Sequence, residues 1–138
     1  MRLVLDTNVV ISAALWGGIP RQLLETAYKD HTFCFSLSML AELDRVLWYP
    51  KFAKRITTLR LSPEELLESL TEYALVMKDP SELNVIVEDP ADNKFLACAV
   101  ACGARLIISG DDHLLKLKVY KQIPIVEPKE ALKKLRTM

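Results

Sequence analysis

At 138 residues and 51% apolar composition, the chain is long enough to bury one sizeable core and too short to divide comfortably into two, so residues 1–138 are read as a single domain. Eighteen basic residues balance eighteen acidic ones, and with no net charge no global field draws the protein onto nucleic acid or a membrane; a polyanion must be held by a local patch. The longest apolar run, Phe95 to Ala104, falls well short of the roughly 18 to 20 residues of a membrane-spanning helix, so no membrane association is expected.

The amino terminus enters a strand-like run, Arg2 to Leu5, at once, without the apolar core and cleavage site of a signal peptide, and a cytoplasmic location is expected. The run ends in Asp6-Thr7-Asn8 and reads as a buried strand that delivers polar side chains at its carboxyl end. A helix is expected from about Val9. Gly17-Gly18 breaks it, and Pro20 suits the first turn of a second helix whose apolar face is Leu23, Leu24 and Ala27. Phe33-Cys34-Phe35 reads as a second strand. Ser38 can cap the next helix, where Leu40, Leu43, Val46 and Leu47 form a core-facing stripe and Pro50 marks the stop. Lys51 to Ala74 reads as two further helices, the second opened by Ser62-Pro63-Glu64-Glu65 with a capping serine, a proline at N1 and a glutamate at N3.

Asp89-Pro90-Ala91-Asp92 repeats that logic, with Asp89 as cap, Pro90 at N1 and Asp92 in the first turn of a helix that runs to Gly103. Arg105 to Ser109 reads as a buried strand closed by Gly110-Asp111-Asp112, followed by a short helix through Leu114 and Leu115. Ile125-Val126 is the last expected strand, and Pro128 opens a final amphipathic helix with Ala131, Leu132 and Leu135. Cys34, Cys98 and Cys102 are an odd set without a second Cys or His pair to complete a zinc site, and are expected as small core residues. Apolar strands separated by helices predict an α/β fold with a central, mostly parallel sheet flanked by helices. Ligands bind beyond the carboxyl ends of the strands in such sheets, and Asp6 and Asp111 both sit there.

Each acid has a structural explanation beside the functional one. Asp6, Asp92 and Asp111 are suited to helix starts, and Glu42 could pair with Arg45 three residues on. Taken together the reading changes, because Asp6 and Asp111 end separate strands while Asp92 begins the helix that leads into the second of them. Several carboxylates at one edge repel each other. A divalent cation resolves that repulsion, and oxygen-only ligands without a His or Cys cluster point to a hard ion, Mg2+ or Mn2+, whose usual partners are phosphates. Such an ion polarises a phosphodiester and lowers the pKa of a bound water, which makes hydrolysis of nucleic acid the natural reaction.

Leu5-Asp6-Thr7-Asn8, Glu42 after a serine-led strand exit, Asp92-Asn93-Lys94-Phe95-Leu96 and Ser109-Gly110-Asp111-Asp112-His113-Leu114-Leu115 together resemble the PIN-domain family, in order and spacing and over essentially the whole chain. The likeness is closest to small prokaryotic members of toxin-antitoxin modules. The resemblance implies a three-layer PIN-like fold and a metal-dependent ribonuclease acting on single-stranded RNA. It implies Asp6, Glu42, Asp92 and Asp111 as the catalytic acids, Asp6, Asp92 and Asp111 as the metal ligands, and Thr7, Asn8 and Ser109 as supporting polar groups. It further implies a cognate antitoxin and a homodimer. Asp89 and Asp112 are neighbours that could compete for these roles; His113, where many relatives carry an acid, reads as a residue of the short helix.

Lys51, Lys54, Arg55 and Arg60, near Trp48, Tyr49 and Phe52, form one candidate RNA-contacting surface, and Arg21, Lys94 and Lys116 could steer a phosphate toward the acids. The carboxyl-terminal Lys129, Lys133, Lys134 and Arg136 read as a solvated helix face. The rival reading is a PIN-like RNA-binding module whose acids hold a structural ion without turnover. An α/β magnesium phosphatase is disfavoured, since Asp6-Thr7-Asn8 lacks the second aspartate that a phosphoaspartyl enzyme uses two positions on.

Overall fold

A computed structural model describes residues 1–80 and 92–137. Six strands form one sheet in the order β3-β2-β1-β4-β6-β5. They are β1 (Arg2–Leu5), β2 (Thr32–Ser36), β3 (Leu75–Met77), β4 (Leu106–Ile108), β5 (Val119–Tyr120) and β6 (Ile123–Val126). Every neighbouring pair is parallel except β5 with β6. Leu3, Val4, Ile107 and Ile108 are wholly buried, which is why the two central strands are continuously apolar from Leu3 to Leu5 and from Leu106 to Ile108 rather than alternating.

The helices are α1 (Thr7–Leu15), α2 (Gly18–Asp30), α3 (Leu37–Leu47), α4 (Pro50–Thr58), α5 (Pro63–Thr71), α6 (Asn93–Cys102), α7 (Asp112–Leu115) and α8 (Pro128–Arg136). Helix α1 begins two residues earlier than expected, because Asp6 rather than a later residue caps it. Gly17 and Gly18 adopt φ of 78° and 71°, the left-handed region that only glycine enters without strain, and this reverses the chain between α1 and α2. Ser36, not Ser38, caps α3: its hydroxyl accepts the Met39 N–H, while Ser38 donates to Asp79 at 2.5 Å. Pro50 opens α4 at N1 instead of merely stopping α3. Asp92 is the N-cap of α6 rather than part of its first turn, and Gly103, at φ 70°, ends that helix. The expected roles of Asp89 and Pro90 lie outside the described residues.

Helix α6 packs across β1, β2 and β4, while α2 packs against both α1 and α8. Cys34, Cys98 and Cys102 are free and buried, as expected of core residues. No helix among the described residues is long and apolar enough to cross a membrane. In α5 the Ser62 hydroxyl accepts the Glu65 N–H and the Glu65 carboxylate accepts the Ser62 N–H, a complete capping box. Ser62→Ala removes half of it. We expect a loss of about 1 kcal/mol in urea denaturation, with the slope unchanged.

Candidate active site

Four elements bring the acids to one edge of the sheet. Asp6 follows β1, and its Oδ1 accepts the Val9 N–H at 2.9 Å at the start of α1. Its Oδ2 accepts the hydroxyl of Ser109, the residue after β4. Strands β1 and β4 are parallel neighbours, so their carboxyl ends open side by side. The same buried Ser109 hydroxyl oxygen accepts the Asp111 N–H at 2.9 Å and so ties Asp6 to the loop that carries Asp111. Asp111 in turn caps α7, its Oδ1 accepting the His113 N–H at 2.7 Å.

Glu42 arrives from the middle of α3. The Thr7 hydroxyl donates to its Oε1, and the Lys94 Nζ lies 2.5 Å from its Oε2. Lys94, rather than the expected Arg45, is thus the cation that Glu42 holds. Asp92 is only 5% exposed and makes no side-chain capping bond to α6. Asp6, Thr7, Asn8, Glu42, Val46, Asp92, Phe95 and Asp111 line one pocket of about 180 Å³. A larger depression of about 540 Å³ along α8 is bordered by Glu127, Lys129, Glu130, Lys133, Lys134 and Thr137, where three lysines accompany two glutamates on the solvated side of one helix.

Carboxylate oxygens of Asp92 and Asp111 and a ring nitrogen of His113 all lie within 4.8 Å of one another. Such a donor set suits a divalent cation. His113 is the group that sequence reasoning undervalued; its place two residues after Asp111, on the turn that Asp111 caps, was the available signal. Asp6 sits deeper. Burial pushes its carboxyl above the ordinary carboxylate range; the Ser109 hydroxyl and the Val9 and Gly110 N–H groups pull it back, and the charge of Asp111 pushes it up again.

The expected RNA-contacting surface is divided by the fold. Trp48 and Tyr49 are exposed, but Phe52 is buried, packed edge-on against Trp16 at 5.6 Å. The Arg55 Nε donates to the Leu15 carbonyl at 2.5 Å, and Arg21 donates to the Ala13 and Ala14 carbonyls at 2.9 and 2.8 Å. Both guanidinium groups therefore satisfy the carboxyl end of α1. Lys94, one of the three cations proposed to steer phosphate, is held by an acid of the pocket.

A family model for the PIN domain matches residues 2–113, a span that contains every one of these acids. The chain belongs to the PIN-domain family. PIN domains are generally nucleases. The fold of this PIN domain is similar to that in the crystal structure of VapBC2 from Rickettsia felis bound to a DNA fragment from their promoter, with a TM-score of 0.65 and 16% identity over 92% of this chain and 98% of that one. At such identity the likeness speaks for the fold. No curated protein matches the sequence.

Proposed function

We propose that this PIN domain, residues 1–138, is a metal-dependent endoribonuclease that hydrolyses phosphodiester bonds of single-stranded RNA. The observation that carries the reading is the convergence of Asp6, Glu42, Asp92 and Asp111, from four separate elements, on one pocket. Asp6, Asp92 and Asp111 are the proposed ligands of Mg2+ or Mn2+, joined by His113, whose nitrogen favours Mn2+. When bound, the ion supplies Lewis-acid polarisation of the phosphate and a water acidic enough to attack at neutral pH.

The chain's own groups do the positioning. Ser109 fixes the Asp6 carboxylate and the Asp111 loop with one hydroxyl, so that neither acid has to be ordered when substrate arrives. Thr7 holds Glu42 against the pocket wall, and the exposed Asn8 offers an amide at the rim. The resemblance to small prokaryotic PIN toxins, together with the likeness to VapBC2, supports a cognate antitoxin that covers the pocket. A homodimer and a cytoplasmic location complete the proposal.

The test is to incubate the purified protein with a mixed single-stranded RNA pool and Mn2+, Mg2+ or chelator, beside Asp111→Asn. Asparagine keeps the α7 cap but not the charge. Cleavage with metal, none with chelator, and a loss on the order of 10²- to 10³-fold in the variant are expected. Equal cleavage by both proteins would mean a contaminant or a misplaced site. Metal-independent RNA binding without cleavage would favour the binding-module reading.

A further inference from the structure

Lys94 stands two residues after Asp92, yet its ammonium is directed at Glu42 on a different helix, 2.5 Å from Oε2. The other oxygen of Glu42 is taken by the Thr7 hydroxyl. Lys94 also lies over the Phe95 ring, 5.3 Å from its centroid, and Phe95 lines the acid pocket. Both members of the pair are only 18% exposed, so the contact is sheltered from the screening that makes surface ion pairs weak. The compact group of potential ligand atoms is a different one: Asp92, Asp111 and His113, within 4.8 Å of each other. Two ligand atoms on one ion, each about 2.0 to 2.6 Å from it, are separated by no more than about 5 Å. That group therefore has the dimensions of a single ion's shell.

Phosphoryl hydrolysis at paired carboxylates commonly places two cations against the phosphate, one beside the attacking oxygen and one beside the leaving oxygen. We propose that Lys94 is the second cation of this site: Glu42, itself a wall of the acid pocket, holds the Lys94 ammonium at the border between that pocket and the adjoining groove lined by Ser38, Asp79, Asn93 and Lys94, where it contacts a non-bridging phosphate oxygen of the RNA, and the chain needs only one divalent ion. Glu42 is then a positioning residue for Lys94 and not a metal ligand. Both oxygens of this glutamate on α3 are engaged, by Thr7 and Lys94, while Asp92, Asp111 and His113 cluster apart from it. The proposal rests on the nuclease reading above, and its primary readout is metal occupancy, which separates its failure from failure of that reading.

Mn2+ is titrated calorimetrically into the full chain without RNA, for the wild type, Lys94→Met, Lys94→Arg and Glu42→Gln, and cleavage is then measured at one equivalent and at excess Mn2+. The wild type is expected to take one ion. Lys94→Met exposes Glu42 to solvent cations and should either bind a second ion or bind the first about tenfold more tightly, the effect of removing a neighbouring unit charge. Its cleavage at one equivalent should fall on the order of 100-fold with a raised KM and recover in part at excess Mn2+. Lys94→Arg should keep the single-ion stoichiometry, and Glu42→Gln should gain no second ion. Two ions of similar affinity in the wild type, or unchanged Mn2+ binding in Lys94→Met, would overturn the proposal while leaving the nuclease intact. No Mn2+ binding by the wild type would sink both.

Discussion

Asp6→Asn is expected to abolish RNA cleavage, by on the order of 10³-fold, and at the same time to make the metal-free protein more stable at neutral pH. Asp6 is 4% exposed, and burial raises its carboxyl pKa above the ordinary value. The folded state thus binds the Asp6 proton more tightly than the unfolded chain does. The stabilisation is complete below the unfolded pKa of about 3.9 and is lost as pH rises through the elevated folded value. Asparagine carries no charge to desolvate and is as good an N-cap as aspartate, so the Val9 N–H keeps its partner. In chelator, the melting temperature of the variant should exceed that of the wild type at pH 7 by a few degrees, and the gap should close toward pH 4. Added Mn2+ should reverse the order, since binding to the folded state stabilises by about 2.7 kcal/mol at one hundred times Kd. A wild type that is the more stable at pH 7 in chelator would show that Asp6 is not strained by its burial.

Leu96→Ala should be among the most damaging single truncations in the fold. Leu96 is fully buried on α6, the helix that lies across β1, β2 and β4 and that Asp92 caps. Removing its isobutyl group costs the transfer free energy plus that of the cavity left behind, about 2 to 5 kcal/mol. Against a typical total of about 5 to 15 kcal/mol this is a large fraction. The urea midpoint should fall with the slope unchanged. Val100, on the same helix and 36% exposed, is the control: Val100→Ala should shift stability by no more than about 0.5 kcal/mol. Similar losses from both would mean that α6 contributes through helix propensity and not through its buried face.

The geometry of the candidate site was legible where the sequence follows a simple local pattern. Short apolar runs that stop at Asp6 and at Ser109-Gly110-Asp111 announce buried parallel strands with polar ends, and the structure puts those ends side by side. Other parts depended on pairings that local spacing does not encode. Serines flank Leu37 on both sides, so pattern alone could not decide that Ser36 caps α3 while Ser38 turns to Asp79. Strand β3 is three residues long and follows α5 with no Gly or Pro between them. Strand β5 enters its hairpin through Lys121 and Gln122, both at positive φ, a turn that ordinarily advertises itself with Asn or Gly. The Lys94–Glu42 pair joins residues more than fifty positions apart, and only the docking of α6 against α3 creates it.

The strand order also governs when the acid cluster can assemble. β4 lies between β1 and β6, so the edge that unites Asp6 with Ser109 and Asp111 comes into being only when a late segment inserts beside the first one. A chain emerging from the ribosome through α6 already carries Asp6, Glu42 and Asp92, yet it lacks the hydroxyl that ties Asp6 down and the loop that completes the acid cluster. Synthesis proceeds from the amino terminus. The topology is therefore a timer: the acid cluster cannot assemble until β4 and the loop after it have cleared the exit tunnel.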